Sequence, residues 1–192
     1  MKKIVFATNN YNKFNEIKQV FPKNIKLMSL KELNFNEKIE ESGNTLKDNA
    51  KIKSNYIYNK YSLSCFSDDS GLLIDHLNGE PGVYSSTYAG VPRNDLNNMI
   101  KVLEKLKNIN NRIACFKTII SLNLDSKNLI FSGELLGSIS NSIRGNNGFG
   151  YDPIFIPKGY NQTLGELSLS IKNKISHRAL AIKKLMNFLN IL

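Results

Sequence analysis

The hydrophobic positions of this chain switch between short continuous runs and helical stripes. Residues 3–7 read as a buried strand that stops at the polar stretch Thr8-Asn9-Asn10. Phe14, Ile17, Val20 and Phe21 then recur at helical spacing. Residues 25–28 look like a second strand, and residues 29–39 are polar and irregular. Thr45 and Asp48 resemble a capping box with Asp in place of the usual Glu or Gln. They predict a helix over residues 46–61, with Ala50, Ile57 and Tyr61 among its apolar positions. Two apolar runs follow, Leu63, Cys65, Phe66 and then Leu72, Leu73, Ile74, and read as two strands joined by Asp68-Asp69-Ser70-Gly71.

Residues 78–82 form a turn cluster. Asp95 is placed as the cap of the next helix, in which Leu96, Met99, Ile100, Leu103 and Leu106 share one face, as core or subunit contact rather than ligand site. Residues 113–124 and 129–139 read as two long strands, with residues 125–128 as a hairpin loop. Thr163 and Glu166 make a full capping box and predict a short helix after it. Ser176 caps the last helix, whose apolar face holds Ile182, Leu185, Leu189 and Leu192.

The 192 residues, 41% of them hydrophobic, suit one domain of good size or two lobes sharing a sheet. No apolar run is long enough to span a bilayer, and the first run is too short for the core of a signal peptide. Cys65 and Cys115 both fall in strand-like runs, which points to reduced, packed thiols and a cytoplasmic protein. A net charge of +10 suggests an anionic partner: nucleic acid, a membrane surface or a phosphorylated small substrate. The lysines are spread along a chain rich in Asn, Lys and Ile, so compositional bias explains the global charge. Functional weight rests on lysines beside motifs.

Four stretches carry candidate chemistry. Residues 8–13 link a strand to a helix start, where backbone N–H groups and the dipole favour phosphate, and Lys13 adds a charge. Thr and Asn are equally ordinary helix caps. Asp68-Asp69-Ser70-Gly71 is either a surface turn or a metal-binding corner with hard carboxylate oxygens. Glu41, in an acidic turn, gains meaning if it points at the same spot as Asp69. Residues 144–153 combine three glycines, Phe149, Tyr151 and Asp152, a loop in which backbone can approach a ligand and aromatics can stack on a flat base. His177 and Arg178 open the final helix, where cations oppose the dipole unless they serve an anion or polar ligand.

The series Thr8-Asn9-Asn10-x-x-Lys13, Glu41-Ser42-Gly43, Asn49-Ala50, Ser67-Asp68-Asp69-Ser70-Gly71-Leu72, Pro81-Gly82-Val83-Tyr84-Ser85, Gly148-Phe149-Gly150-Tyr151-Asp152-Pro153 and Ser176-His177-Arg178 resembles the inosine triphosphate pyrophosphatase family. The likeness runs over essentially the whole chain. It implies an α/β fold: a long bent mixed sheet flanked by helices, in two lobes of a single domain with the active-site cleft between them. It also implies a homodimer, and Mg²⁺-dependent hydrolysis of inosine, deoxyinosine and xanthosine triphosphates to monophosphate and pyrophosphate. Carried over by resemblance, Glu41 and Asp69 bind the metal, and Asp69 takes the proton from the attacking water. Asp68 is a direct or an indirect metal partner. Thr8, Asn9, Asn10, Tyr11, Asn12 and Lys13 hold the phosphates, and Ser70 and Lys53 lie near the substrate, with Ser70 better supported by the motif. Phe149, Gly150, Tyr151, Asp152, Lys172, His177 and Arg178 form the base pocket.

Two positions depart from the family pattern. Thr87 stands where arginine is common, which puts a salt bridge or subunit contact in doubt. Gly165 stands where alanine is usual and is expected to loosen a helix start. The rival readings are a nucleic-acid-binding protein, a nucleotide-binding module without hydrolase activity, and a pyrophosphatase of modified pyrimidine triphosphates. The first would need a basic stripe with interleaved aromatics, which the scattered lysines do not make.

Overall fold

The computed structural model describes residues 2–190. Six strands form one mixed sheet in the order β2-β1-β3-β4-β5-β6, flanked by five α-helices. The strands are β1 (Lys2–Phe6), β2 (Ile25–Ser29), β3 (Cys65–Ile74), β4 (Ile113–Leu124), β5 (Lys127–Ile139) and β6 (Phe155–Pro157). The helices are α1 (Tyr11–Val20), α2 (Leu46–Tyr61), α3 (Asp95–Lys105), α4 (Leu169–Ile175) and α5 (His177–Asn190). β1 runs parallel to both β2 and β3, whereas β5 and β6 are antiparallel. The expected mixed α/β architecture is therefore the observed one.

The chain divides into two compact units that interleave in sequence. One takes the chain up to Asp69, then Thr118–Gly133, then the chain from Ala179 onward; the other takes Ser70–Lys117 and Glu134–Arg178. The core of the first unit stacks Phe6 on Phe66 (centroids 4.6 Å apart) and Phe66 on Phe21 (6.0 Å), with Ile17, Ile182, Leu185 and Leu189 around them. Each such side chain fully withdrawn from water contributes about 1.5–3 kcal/mol. The core of the second unit gathers Leu72, Ile74, Met99, Val102, Leu106, Tyr151, Ile154 and Phe155.

Several elements differ from expectation. Asp68-Asp69-Ser70-Gly71 is no turn: β3 passes through it without interruption. The cap of α3 is Asn94, whose side chain accepts from Asn97 N–H, and Asp95 is the first helical residue. On α3 the buried residues include Met99 and Val102, with Leu106 buried just past its end, whereas Leu96 and Ile100 are exposed. Val20 of α1 is also exposed. The capping box at Thr163 is half made: Glu166 accepts from Thr163 N–H at 2.7 Å, but the Thr163 hydroxyl donates to Arg144 O, and a turn results. Helix α4 begins later, capped by Ser168. Leu192 lies outside the described residues.

Candidate active site

Strand alternation separates the two adjacent carboxylates of β3. Phe66 and Asp68 share one side with α1: Phe66 packs among Ile17 and Phe21, and Asp68, buried, pairs with Lys13 Nζ at 3.0 Å. Ser67 and Asp69 share the other side with α2. Ser67 donates to Ala50 O, and Asp69 Oδ1 lies 3.7 Å from Lys53 Nζ. The same ammonium donates to Glu41 Oε2 at 2.6 Å. Glu41 sits on a loop held against the start of α2, where Gly43 N–H donates to Asn49 Oδ1 at 2.8 Å. A Cβ at Gly43 would lie 2.6 Å from Asp48 Cβ, so only glycine permits this approach. Thr45 caps α2 through Asp48 N–H and fixes where the helix begins.

Three carboxylates (Glu41, Asp68, Asp69) thus face two ammonium groups (Lys13, Lys53) within the first unit. The crowding shows in the titration of the groups. Burial pushes the Asp69 carboxyl up, and Lys53 and Lys13 offset this only in part, because Glu41 and Asp68 repel a further negative charge. Burial works against the charged form of Lys53, but Asp69, Glu41 and Asp68 outweigh it and hold the ammonium protonated. Among the described residues, no three His, Cys, Asp or Glu side chains converge into a ready-made metal cage. Mg²⁺ does not require one: it binds through one or two carboxylates, waters and substrate phosphates. The hard oxygens of Glu41 and Asp69, already gathered about a cation, suit it.

The loop before α1 is ordered by its own side chains. Asn10 N–H donates to Thr8 Oγ1 at 3.2 Å, and Asn10 Oδ1 accepts from Lys13 N–H at 3.1 Å, which makes Asn10 the cap. Tyr11 and Asn12 open the helix and are exposed, as is Asn9.

The second unit brings together Ser70, Phe149, Gly150, Tyr151, Asp152, Lys172, His177 and Arg178. Asp152 and Lys172 form a buried pair at 2.7 Å, and the same Asp152 Oδ2 accepts from Phe149 N–H at 2.8 Å. A Cβ at Gly148, where φ is +80°, would come within 2.1 Å of that oxygen, so the tight loop excludes any side chain there. Lys172 Nζ lies 4.6 Å from the Phe149 ring centre and the Arg178 guanidinium 5.5 Å. Arg178 Nη2 also donates to Ser70 Oγ at 3.3 Å. The His177 ring stacks on Phe116, 4.6 Å between centroids. Tyr151 is buried, which raises its pKa, and its hydroxyl donates to Ser85 O at 2.8 Å. Ser176 separates α4 from α5 in an extended conformation, as a cap position requires.

Two features escaped the sequence reading. Phe116 was a strand residue only, and nothing local marks it as the partner of His177. Asp95 was assigned to capping, but its Oδ2 accepts from Gly150 N–H at 2.9 Å. The neighbouring Asn94 is as good a cap and could have signalled that Asp95 was available for another bond. Gly165 is also more than a loose helix start. A Cβ there would lie 2.7 Å from Arg144 O and 2.8 Å from Pro153 Cα, so it marks where two loop segments press together.

Comparison with known proteins gives a consistent result. The model of the Ham1 family matches residues 4–188. A dITP/XTP pyrophosphatase of Christiangramia forsetii is 50% identical over 188 residues, covering 98% of this chain and 99% of that protein. The Staphylococcus aureus Ham1 protein superposes with a TM-score of 0.91 at 40% identity, covering 98% of both chains. A Ham1 protein from Coxiella burnetii superposes with a TM-score of 0.93 at 38% identity over the full length of both.

Proposed function

The chain belongs to the Ham1 family, and we propose that it is a nucleoside triphosphate pyrophosphatase that hydrolyses dITP, ITP and XTP to monophosphate and pyrophosphate with Mg²⁺. The observation that carries this reading is the gathering of the Glu41, Asp68 and Asp69 carboxylates about the Lys13 and Lys53 ammonium groups. Mg²⁺ held by Glu41 and Asp69 would offset phosphate charge when bound.

The chain's own residues account for the remaining chemistry. Lys13 and the start of α1 hold the phosphates, through the ammonium, the caps and the backbone N–H groups. Asp69, its basicity raised by burial, takes the proton from water as the water attacks the α-phosphorus and pyrophosphate departs. Lys53 keeps the Asp69 and Glu41 carboxylates at fixed distances. At the base end Phe149 offers a ring face, and the buried Arg178 presents donors suited to the 6-carbonyl of hypoxanthine or xanthine. Adenine would set its 6-amino hydrogens against those donors, and a buried donor left unpaired costs about 1–3 kcal/mol, enough for strong discrimination.

We also propose a homodimer; the exposed Tyr84, Val91, Leu96 and Ile100 support it as apolar surface on and before α3. The scattered lysines favour a nucleotide over a nucleic acid as partner. Among the described residues no helix is long and apolar enough to cross a membrane, and Cys65 and Cys115 are free thiols, in keeping with a cytoplasmic enzyme. The test is pyrophosphate release from dITP, ITP, XTP, ATP and GTP, with Mg²⁺ and with chelator. Metal-dependent release from the first three alone supports the reading; release from none of them, with the protein folded, overturns it.

A further inference from the structure

The base loop is held from outside by a residue with no place in the chemistry above. Gly150 lies between Phe149 and Tyr151 with φ +64°, in the left-handed region, so the backbone reverses direction there. Its N–H donates to Asp95 Oδ2 at 2.9 Å. Asp95 is in turn clamped by Arg93, whose Nε donates to Oδ1 at 2.8 Å and Nη2 to Oδ2 at 3.1 Å. One helical turn on, Asn98 is buried and secures a second segment: its Oδ1 accepts from Ala89 N–H at 2.7 Å, and its Nδ2 donates to Ser86 O at 3.0 Å. Ser85 closes the circuit. Its carbonyl accepts from Tyr151 Oη, and its hydroxyl accepts from Leu72 N–H at 2.9 Å, two residues beyond Ser70 on β3. The first turn of α3 thus fixes both the backbone at Gly150 and the anchor of the next side chain, Tyr151.

We infer that Asp95, oriented by Arg93, is a positioning residue for base selection: it sets the Gly150 turn and so the placement of the Phe149 ring. Asp95 itself touches neither phosphate-binding nor proton-accepting groups. The inference rests on the assignment of the base to Phe149 and Arg178 in the preceding section. An acceptor oxygen is needed at Gly150 N–H; the charge on Asp95 adds orientation through Arg93.

The experiment uses the full chain with Asp95→Ala, Asp95→Asn and Arg93→Ala, and measures KM and kcat for dITP and ATP. Asp95→Ala should raise KM for dITP about fivefold or more and narrow the preference over ATP, with kcat within about twofold, because the loop loses a charge-assisted tether but not the catalytic carboxylates. Asp95→Asn keeps an acceptor oxygen and should recover most of the loss. Arg93→Ala should shift KM in the same direction by a smaller factor. If Asp95→Ala does not fold, Asp95→Ser, whose hydroxyl is too short to reach Gly150 but which suits a helix start, takes its place with the same expectation. Amide exchange at Gly150 should quicken about tenfold in Asp95→Ala or Asp95→Ser, independently of turnover. Unchanged KM in an active variant, a loss confined to kcat, or no recovery in Asp95→Asn would overturn the inference. A wild-type protein inert toward dITP and XTP would instead overturn the proposed function, and Gly150 exchange would still decide whether Asp95 holds the loop.

Discussion

The two clusters of candidate residues, one within each unit, are built in different ways. In the first unit, charges sit on regular elements: Asp68 and Asp69 in the middle of β3, Lys13 in the first turn of α1, Lys53 on α2. In the second, recognition groups sit on a loop whose shape depends on Gly148, Gly150, Asp152 and Asp95. The electrostatics differ as well. Asp152 and Lys172 form one tight ion pair deep in the fold, whereas in the first cluster Lys53 is shared between Glu41 and Asp69, and Asp68 pairs with Lys13. Coulombic forces fall off slowly, so a cluster proposed to attract a cation and polyphosphate tolerates modest displacement of each charge. Discrimination between flat bases depends on short hydrogen bonds and stacking, and requires a loop locked from several sides.

The largest expected effect tests the open cluster. Asp69→Asn keeps the shape of the side chain but removes its basicity. The rate of pyrophosphate release should fall by about 10²–10⁴-fold, the usual worth of a general base. The same change relieves repulsion with Glu41 and Asp68, so Tm should hold or rise, since acids crowded together are a cost to the fold. Near-normal turnover would remove Asp69 from the mechanism.

The next contrast sets stability against stability. Asp152→Ala leaves the Lys172 ammonium buried without its ion partner, a change that costs about 3–5 kcal/mol. At about 2–4 °C per kcal/mol for a chain of this size, Tm should fall by roughly 10 °C. Glu41→Ala removes a side chain that is 42% exposed, and its ion pair should be worth no more than about 1 kcal/mol. Thermal melts without nucleotide check both. Equal losses would mean that the two halves share one construction.

These expectations depend on features of unequal legibility. Helix α2 was readable because its cap, Thr45, and its apolar positions are local signals, and the observed span matches the expected one. The strand β4 was readable because its apolar residues run on without a breaker. β3 was not, because Asp, Ser and Gly favour turns when nothing else holds them. What carries the strand through is supplied from elsewhere in the chain, by Lys13 and Lys53, and no local pattern announces those pairings. The Thr163 box misled for a similar reason: Arg144 O captured the hydroxyl meant for the helix. Candidate site residues could be proposed from the order of motifs. Which of them hold one another, as Asp152 holds Lys172 and Asp95 holds Gly150, depends on the packing of distant segments.

A smaller effect probes the packing of the base loop. Gly165→Ala would drive a Cβ against Arg144 O and Pro153 Cα, and overpacking of this kind costs about 1–3 kcal/mol. Gly165 also exchanges backbone hydrogen bonds with Asp152 and Asn147. The displacement should therefore reach the base loop and raise KM for dITP a few-fold while kcat holds. Denaturant melts and steady-state kinetics measure the two parts, and a loss of stability with KM unchanged would show that the loop absorbs the shift.

The smallest effect should fall on the helix-built half. Thr45→Ala removes the cap of α2 and should cost about 1 kcal/mol in a urea melt. Lys53 should nevertheless stay in place. The residues after it on α2 are tied to the β4–β5 hairpin, where Ser54 Oγ and Ser121 Oγ lie 2.8 Å apart and Asn55 Oδ1 accepts from Asn123 Nδ2 at 2.9 Å. Asn128 extends this network to both Ser121 and Asn123. A helix pinned along its length can fray at its cap while the buried Asn49, which holds the Glu41 loop, and Lys53 beyond it stay in place. KM and kcat for dITP should stay within about twofold of wild type, because ordinary fraying reaches only the terminal turn. A severalfold rise in KM would show that the carboxylate cluster depends on local order as closely as the base loop does, and the distinction between the two halves would fail at the position where it is cheapest to test.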